Sequence, residues 1–162
     1  MEKPVTRVGL GYDIHRLVPG RPLILAGVTF ESDVGLEGHS DADVILHAVA
    51  DAILGAASLG DIGEHFPPSD ERWRNADSRH LLRMVVAMVN DRFSISNVDV
   101  TLVGERTRIA PRRQEMRESL AGLLEIALDR VSVKATTNEG LGALGRAEGL
   151  AALATALVEE RE

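Results

Sequence analysis

Two short stretches of this chain carry the residue types that bind metals. Asp13-Ile14-His15 places a carboxylate and an imidazole at i and i+2, so in an extended segment both point to one side and can reach a single ion. The same tripeptide also suits a turn-capping Asp beside a surface His. In the run His39-Ser40-Asp41-Ala42-Asp43-Val44-Ile45-Leu46-His47, His47 lies one turn after Asp43 and one turn before Asp51. The three therefore share a face of a helix that is apolar elsewhere. A His in that setting is either a core residue held by the two carboxylates or a ligand. Asp13, His15 and His47 together make a two-His, one-carboxylate set of the kind that holds catalytic zinc with its fourth position open, with Asp51 behind it as an orienting partner. Iron or manganese suits the same set.

Other stretches carry polar groups suited to phosphate. The segment Gly60-Asp61-Ile62-Gly63-Glu64-His65-Phe66-Pro67-Pro68-Ser69-Asp70 has two glycines that let main-chain amides approach a ligand closely, although ordinary loops contain such residues too. Lys134-Ala135-Thr136-Thr137-Asn138-Glu139 gathers hydroxyls, amides and a carboxylate at the end of a predicted strand, the end at which ligands bind in α/β sheets. Arg106, Arg108, Arg112 and Arg113 follow the preceding strand. They suit either a solvated helix start or a local phosphate site.

The elements that must position these groups are legible from periodicity. Val5–Tyr12 and Pro22–Phe30 read as strands separated by Pro19-Gly20. A capping pattern at Ser40–Asp43 precedes a buried helix from Val44 to Ala57, and a polar loop of about 18 residues follows from Gly60 to Asp77. Asp77 or Ser78 caps a helix over Arg79–Asn90. Val98, Val100 and Leu102 alternate with Asp99, Thr101 and Val103 as a strand, then come a helix over Pro111–Leu128 and a strand over Val131–Ala135. A closing helix is predicted over roughly Ala147–Glu159. The second half thus reads β-α-β-α, and the expected fold is a single α/β (α+β-like) domain, a mixed sheet with helices on one face, spanning residues 1–162.

Composition narrows the chemistry. The chain has 162 residues, one domain's length, with 18 Lys plus Arg against 25 Asp plus Glu and a net charge of −7, which disfavours nucleic acid as a partner. It has no Cys, so disulfides, thiolate metal sites and thiol nucleophiles are excluded. No apolar run nears the roughly 18 residues of a membrane helix, and the first residues lack a secretory h-region, so a cytoplasmic protein is expected.

Several motifs in order resemble the 2-C-methyl-D-erythritol 2,4-cyclodiphosphate synthase family. They are Gly11-Tyr12-Asp13-Ile14-His15, His39 to His47, Asp61-Ile62-Gly63, Asn97-Val98-Asp99-Val100-Thr101, Val133 to Glu139 and Gly145-Arg146-Ala147-Glu148-Gly149. The resemblance implies Asp13, His15 and His47 as ligands of one zinc or other divalent transition metal. It implies His39 and Thr137 as transition-state stabilisers, and Glu139 as a holder of magnesium or manganese on the substrate diphosphate. It further implies substrate contacts from Asp13, His15, His39, Ser40, Asp61, Ile62, Gly63, Phe66 and Asp70, and from Asn138, Glu139, Ala143 and Arg146. A cytidine pocket is implied at Gly104, Arg108, Ile109, Ala110, Ala135, Thr136 and Thr137. The implied assembly is a homotrimer with active sites between subunits and an axial cavity lined by Arg146 and Glu148 that can take an isoprenoid diphosphate.

Three positions depart from the family pattern. Phe66-Pro67-Pro68-Ser69-Asp70 stands where Phe-Pro-Asp-x-Asp is common, Arg108 replaces a common Lys, and Ala143 replaces a common aromatic. The implied reaction closes a cyclic diphosphate from 4-diphosphocytidyl-2-C-methyl-D-erythritol 2-phosphate with release of CMP. Two rivals are a zinc phosphohydrolase using water, and a nucleotide-binding oligomer with a structural metal.

Overall fold

The computed structural model describes residues 4–162. Two long strands, β1 (Thr6–Pro19) and β7 (Gly149–Glu160), run antiparallel from Thr6↔Glu159 to Arg16↔Gly149. On the other side of β7 lies β5 (Phe93–Val103), also antiparallel, with a register shift between Ile95 and Asn97. Parallel to β5 runs β6 (Val131–Thr136), and β4 (Val34–Leu36) pairs with the end of β1. The mixed five-stranded sheet has the order β4-β1-β7-β5-β6, and a separate hairpin joins β2 (Leu23–Leu25) to β3 (Val28–Phe30).

The helices α1 (Val44–Ala56), α3 (Ser78–Asn90) and α4 (Arg113–Leu124) pack on one face of the sheet, as expected. Nearly every α1 side chain is buried because the helix lies between the sheet and α3. Gly9 and Gly11 allow its close approach: a Cβ on either would sit 1.8 Å from the Ala52 or Ala48 carbonyl oxygen. The polar loop contains two short turns of helix, α2 (Ile62–His65) and a 3-10 turn at Glu71–Trp73, each capped by the preceding Asp. The four-residue α5 (Gly142–Gly145) precedes β7.

The structure overturns the closing helix. Gly149–Glu160 is the central strand, so the second half runs β-α-β-β apart from the short α5. Ala and Leu favour helix intrinsically, and the segment is rich in both. Packing decides otherwise. Leu150, Ala152, Ala154, Ala156 and Val158 alternate toward the helix-covered face, where small side chains leave room for α1, while Leu153 and Thr155 face out. The predicted helix over Pro111–Leu128 is shorter, starting after a 3-10 turn at Ala110–Arg112 and ending at Leu124.

Candidate active site

Alternation along β1 sends Gly9, Gly11, Asp13 and His15 to the helix side, while Val8, Leu10, Tyr12 and Ile14 face out. On that side α1 delivers His47, one turn beyond its cap. Asp13 Oδ2 lies 2.8 Å from His15 Nε2 and 3.2 Å from His47 Nδ1, and one ligand atom from each residue lies within 4.8 Å of the others. His15 Nδ1 sits 2.8 Å from the Glu37 carbonyl oxygen, which only accepts, so that nitrogen carries a proton and Nε2 is the ring atom left to bind a metal. Although close to Asp13, buried Nε2 is outside hydrogen-bond geometry with any described residue. One carboxylate and two imidazoles converging with an orphaned ring nitrogen suit a divalent transition ion.

The electrostatics of the triad oppose its burial. Burial raises the Asp13 carboxyl's pKa, but the two imidazoles more than offset this and the net direction is down. Burial lowers that of His15, and the adjacent carboxylate reverses the direction to upward.

The triad opens on a cavity of about 250 Å³, also lined by His39, Ser40, Ile62, Gly63 and Phe66 from the predicted set. His39 Nε2 is buried without a hydrogen-bond partner among the described residues. Asp61 does not line this cavity but caps α2, accepting from the Glu64 N–H at 3.0 Å, which fixes Ile62 and Gly63 on the wall. Asp70 turns away to pair with Arg72 at 2.6 Å, and Pro68 lines the cavity instead. Sequence reasoning did not find Trp73 or Leu81, which complete the wall; Trp73 meets Phe66 edge-on at 5.0 Å between centroids. Their only sequence signal was a scarce aromatic in a polar loop and an apolar helical stripe.

The two carboxylates that share the His47 helix face have other tasks. Asp43, not Ser40, caps α1, accepting from Leu46 N–H at 3.1 Å, and it also takes the N–H groups of Ala26 (3.0 Å) and Gly27 (2.7 Å). It is fully buried, and burial pushes its carboxyl up to about 6 against the pull of those donors. Asp51 does not hold the His47 ring. It accepts from the Ile62 N–H at 2.8 Å, tying α2 to α1, and burial raises its carboxyl. His47 Nε2 instead lies 2.8 Å from Ser78 Oγ and 3.2 Å from Ser40 Oγ.

A second cavity, of about 180 Å³, lies at the carboxyl ends of the parallel pair β5 and β6. Gly104, Arg108, Ile109, Ala110, Ala135, Thr136 and Thr137 line it, with Arg113. Glu105 also lines it and accepts from the N–H groups of Asn138 (2.9 Å) and Gly140 (3.2 Å), and Thr137 Oγ1 accepts from the Glu139 N–H at 3.2 Å. Glu139 takes a left-handed φ of 53° in this loop. Glu105 carries one faint sequence signal, a carboxylate just past a strand end. Ala143 lies in α5, and Arg146 pairs with Glu148 at 2.8 Å. Arg112 reaches back to Glu115 at 2.6 Å and to the Thr29 carbonyl.

The sequence pattern of the YgbB family matches residues 6–159. The chain belongs to the YgbB family. It is 56% identical to 2-C-methyl-D-erythritol 2,4-cyclodiphosphate synthase of Salinibacter ruber over 94% of this chain and 98% of that one. Among solved structures, a CDP-bound form of the synthase is 38% identical and superposes with a TM-score of 0.87, covering 94% of this chain and 99% of the other. The bifunctional IspDF from Campylobacter jejuni, at 38% identity and a TM-score of 0.95, matches 99% of this chain with 44% of its own. In the YgbB fold seen here, Asp13, His15 and His47 are supplied by β1 and α1 of one chain.

Proposed function

We propose that this protein converts 4-diphosphocytidyl-2-C-methyl-D-erythritol 2-phosphate to 2-C-methyl-D-erythritol 2,4-cyclodiphosphate, acting as a CMP-forming phosphorus–oxygen lyase. The observation that carries this reading is the pairing of a metal-fit triad with a separate cavity at the β5–β6 ends, in a chain 56% identical to a synthase of that name. An oxygen of the 2-phosphate attacks the β-phosphorus, the bond from that phosphorus to the α–β bridging oxygen breaks, and CMP leaves with the oxygen. Both reacting groups belong to one substrate, so the protein needs no nucleophile of its own and works by positioning and charge stabilisation.

Asp13, His15 and His47 would hold zinc and Glu139 would help hold magnesium or manganese, ions whose chemistry is to bind phosphate oxygens and offset their charge. His39 and Thr137 stabilise the transition state from the two cavities. Backbone groups of Gly104–Ala110 and Ala135–Thr136 take the cytidine, with Arg108 near its phosphates. The two cavities share no lining residue, which favours a site completed by a neighbouring subunit. A homotrimer also covers the outer sheet face, where Leu10 is 66% and Tyr12 54% exposed. Arg146 would contact an isoprenoid diphosphate in the axial cavity, more weakly for want of an aromatic at Ala143. No helix among the described residues is long and apolar enough to cross a membrane, and we place the enzyme in the cytoplasm.

The test is phosphorus NMR of products formed in 18O-labelled water. Cyclic diphosphate plus CMP without label is expected. An open-chain phosphate carrying label would identify a phosphohydrolase instead.

A further inference from the structure

We propose that Ser78 and Asp41 hold the His47 ring with its proton on Nε2, so that Nδ1 keeps its lone pair for the metal. The inference rests on reading the triad as a metal site. Ser78 is 1% exposed and its Oγ lies 2.8 Å from His47 Nε2. A hydroxyl has one proton to give, and that of Ser78 goes to Asp41 Oδ1, while the Ser78 backbone N–H goes to Asp41 Oδ2 at 3.0 Å. A carboxylate accepts and does not donate, so the hydroxyl proton is committed and Oγ faces His47 as an acceptor. Ser40 Oγ is the longer contact to the same nitrogen, at 3.2 Å, and it takes the Ala42 N–H at 3.2 Å.

The consequence, once a metal takes Nδ1, is a pair of histidines held in opposite tautomers. His15 gives its Nδ1 proton to the Glu37 carbonyl and turns Nε2 to the triad; His47 gives its Nε2 proton to Ser78, and its Nδ1, 3.2 Å from Asp13 Oδ2 in hydrogen-bond geometry, is the atom that would exchange that carboxylate contact for the metal. Each ring is locked by an acceptor on its far side, an arrangement that orients a ligand and raises its basicity. Helix capping does not explain the Ser78 hydroxyl, because the Asp77 side chain caps α3, accepting from the Arg79 N–H at 2.9 Å. Ser78 is therefore a positioning residue that acts through His47, from 31 residues away in sequence.

The test measures zinc affinity of the metal-free protein by competition with a chromophoric chelator, for wild type, Ser78→Ala, Ser78→Thr and Asp41→Asn. Nitrogen–proton NMR of the zinc-loaded proteins follows the His47 ring. Ser78→Ala should weaken zinc binding about 10- to 100-fold while the metal-free protein melts near wild type, and Ser78→Thr should restore affinity to within a few-fold. The wild-type ring proton should be found on Nε2 and exchange slowly, whereas in Ser78→Ala it should exchange fast. Asp41→Asn sets an amide donor against groups that need an acceptor and should weaken zinc binding too, which decides the matter if Ser78→Ala does not fold. Wild-type affinity in both Ser78→Ala and Asp41→Asn, or a His47 proton on Nδ1, overturns the relay. A wild type that binds no zinc removes the metal reading and the relay with it, whereas a zinc-binding wild type beside insensitive variants removes the relay alone.

Discussion

Asp43 is the residue on which the local architecture of the candidate metal site converges, although it holds no ligand in the proposed reaction. Its two carboxylate oxygens satisfy the first turn of α1 and the Ala26 and Gly27 amides, both with left-handed backbone, that form the β2–β3 turn. Asp43→Ala would remove a helix cap and orphan two further N–H groups, a loss of about 3 to 5 kcal/mol measurable by urea unfolding. Its ionisation has a sign of its own. The folded-state value of about 6 lies above the ordinary 3.8, so the folded chain binds this proton more tightly than the unfolded chain does. The resulting stabilisation is fully present below 3.8 and is lost as pH rises through about 6, an effect on the order of 3 kcal/mol. Wild type should therefore lose stability relative to Asp43→Asn as pH rises from about 4 to about 7. Parallel profiles for the two proteins would show that the carboxyl is not perturbed.

At the scale of elements, the contact between β1 and α1 sets the distance from Asp13 and His15 to His47. Gly11 matters here because its missing Cβ leaves room for the helix backbone at Ala48, next to His47. Gly11→Ala should cost about 3 kcal/mol or more, since the obstruction is main chain and not a movable side chain. Zinc affinity should fall as well, because displacing α1 carries His47 away from the triad. Gly55, in α1 itself, has nothing within 4 Å of a built Cβ. Gly55→Ala should stabilise the protein by about 0.5 to 1 kcal/mol through helix propensity alone. Urea midpoints of the two variants shifting in the same direction would contradict this account of the packing.

For the whole molecule, the outer sheet face carries an apolar stripe of Val8, Leu10, Tyr12 and Ile14 beside the polar Asp99 and Lys134, paired at 2.6 Å. If three copies cover it, Leu10→Lys should sediment as a monomer of 17.5 kDa, retain zinc because all three ligands come from one chain, and lose turnover. A trimer that persists, or an active monomer, would remove the shared-site reading. Local periodicity in the sequence was enough to place Asp13 and His15 on one side of a strand and His47 on a buried helix, because side-chain direction there follows from spacing alone. It was also enough for the alternating strand at Val98–Val103 and for the mixed sheet with helices on one face. Other features depend on contacts between distant segments. The Ala-rich Gly149–Glu160 became a central strand because the sheet needed small residues beneath α1, against the segment's own helix preference. Asp51 binds Ile62, and Asp41 reaches His47 through Ser78, 37 residues on from Asp41 in the chain. Sequence spacing records which groups share a face of one element, whereas the partner across the gap is chosen only when the elements pack.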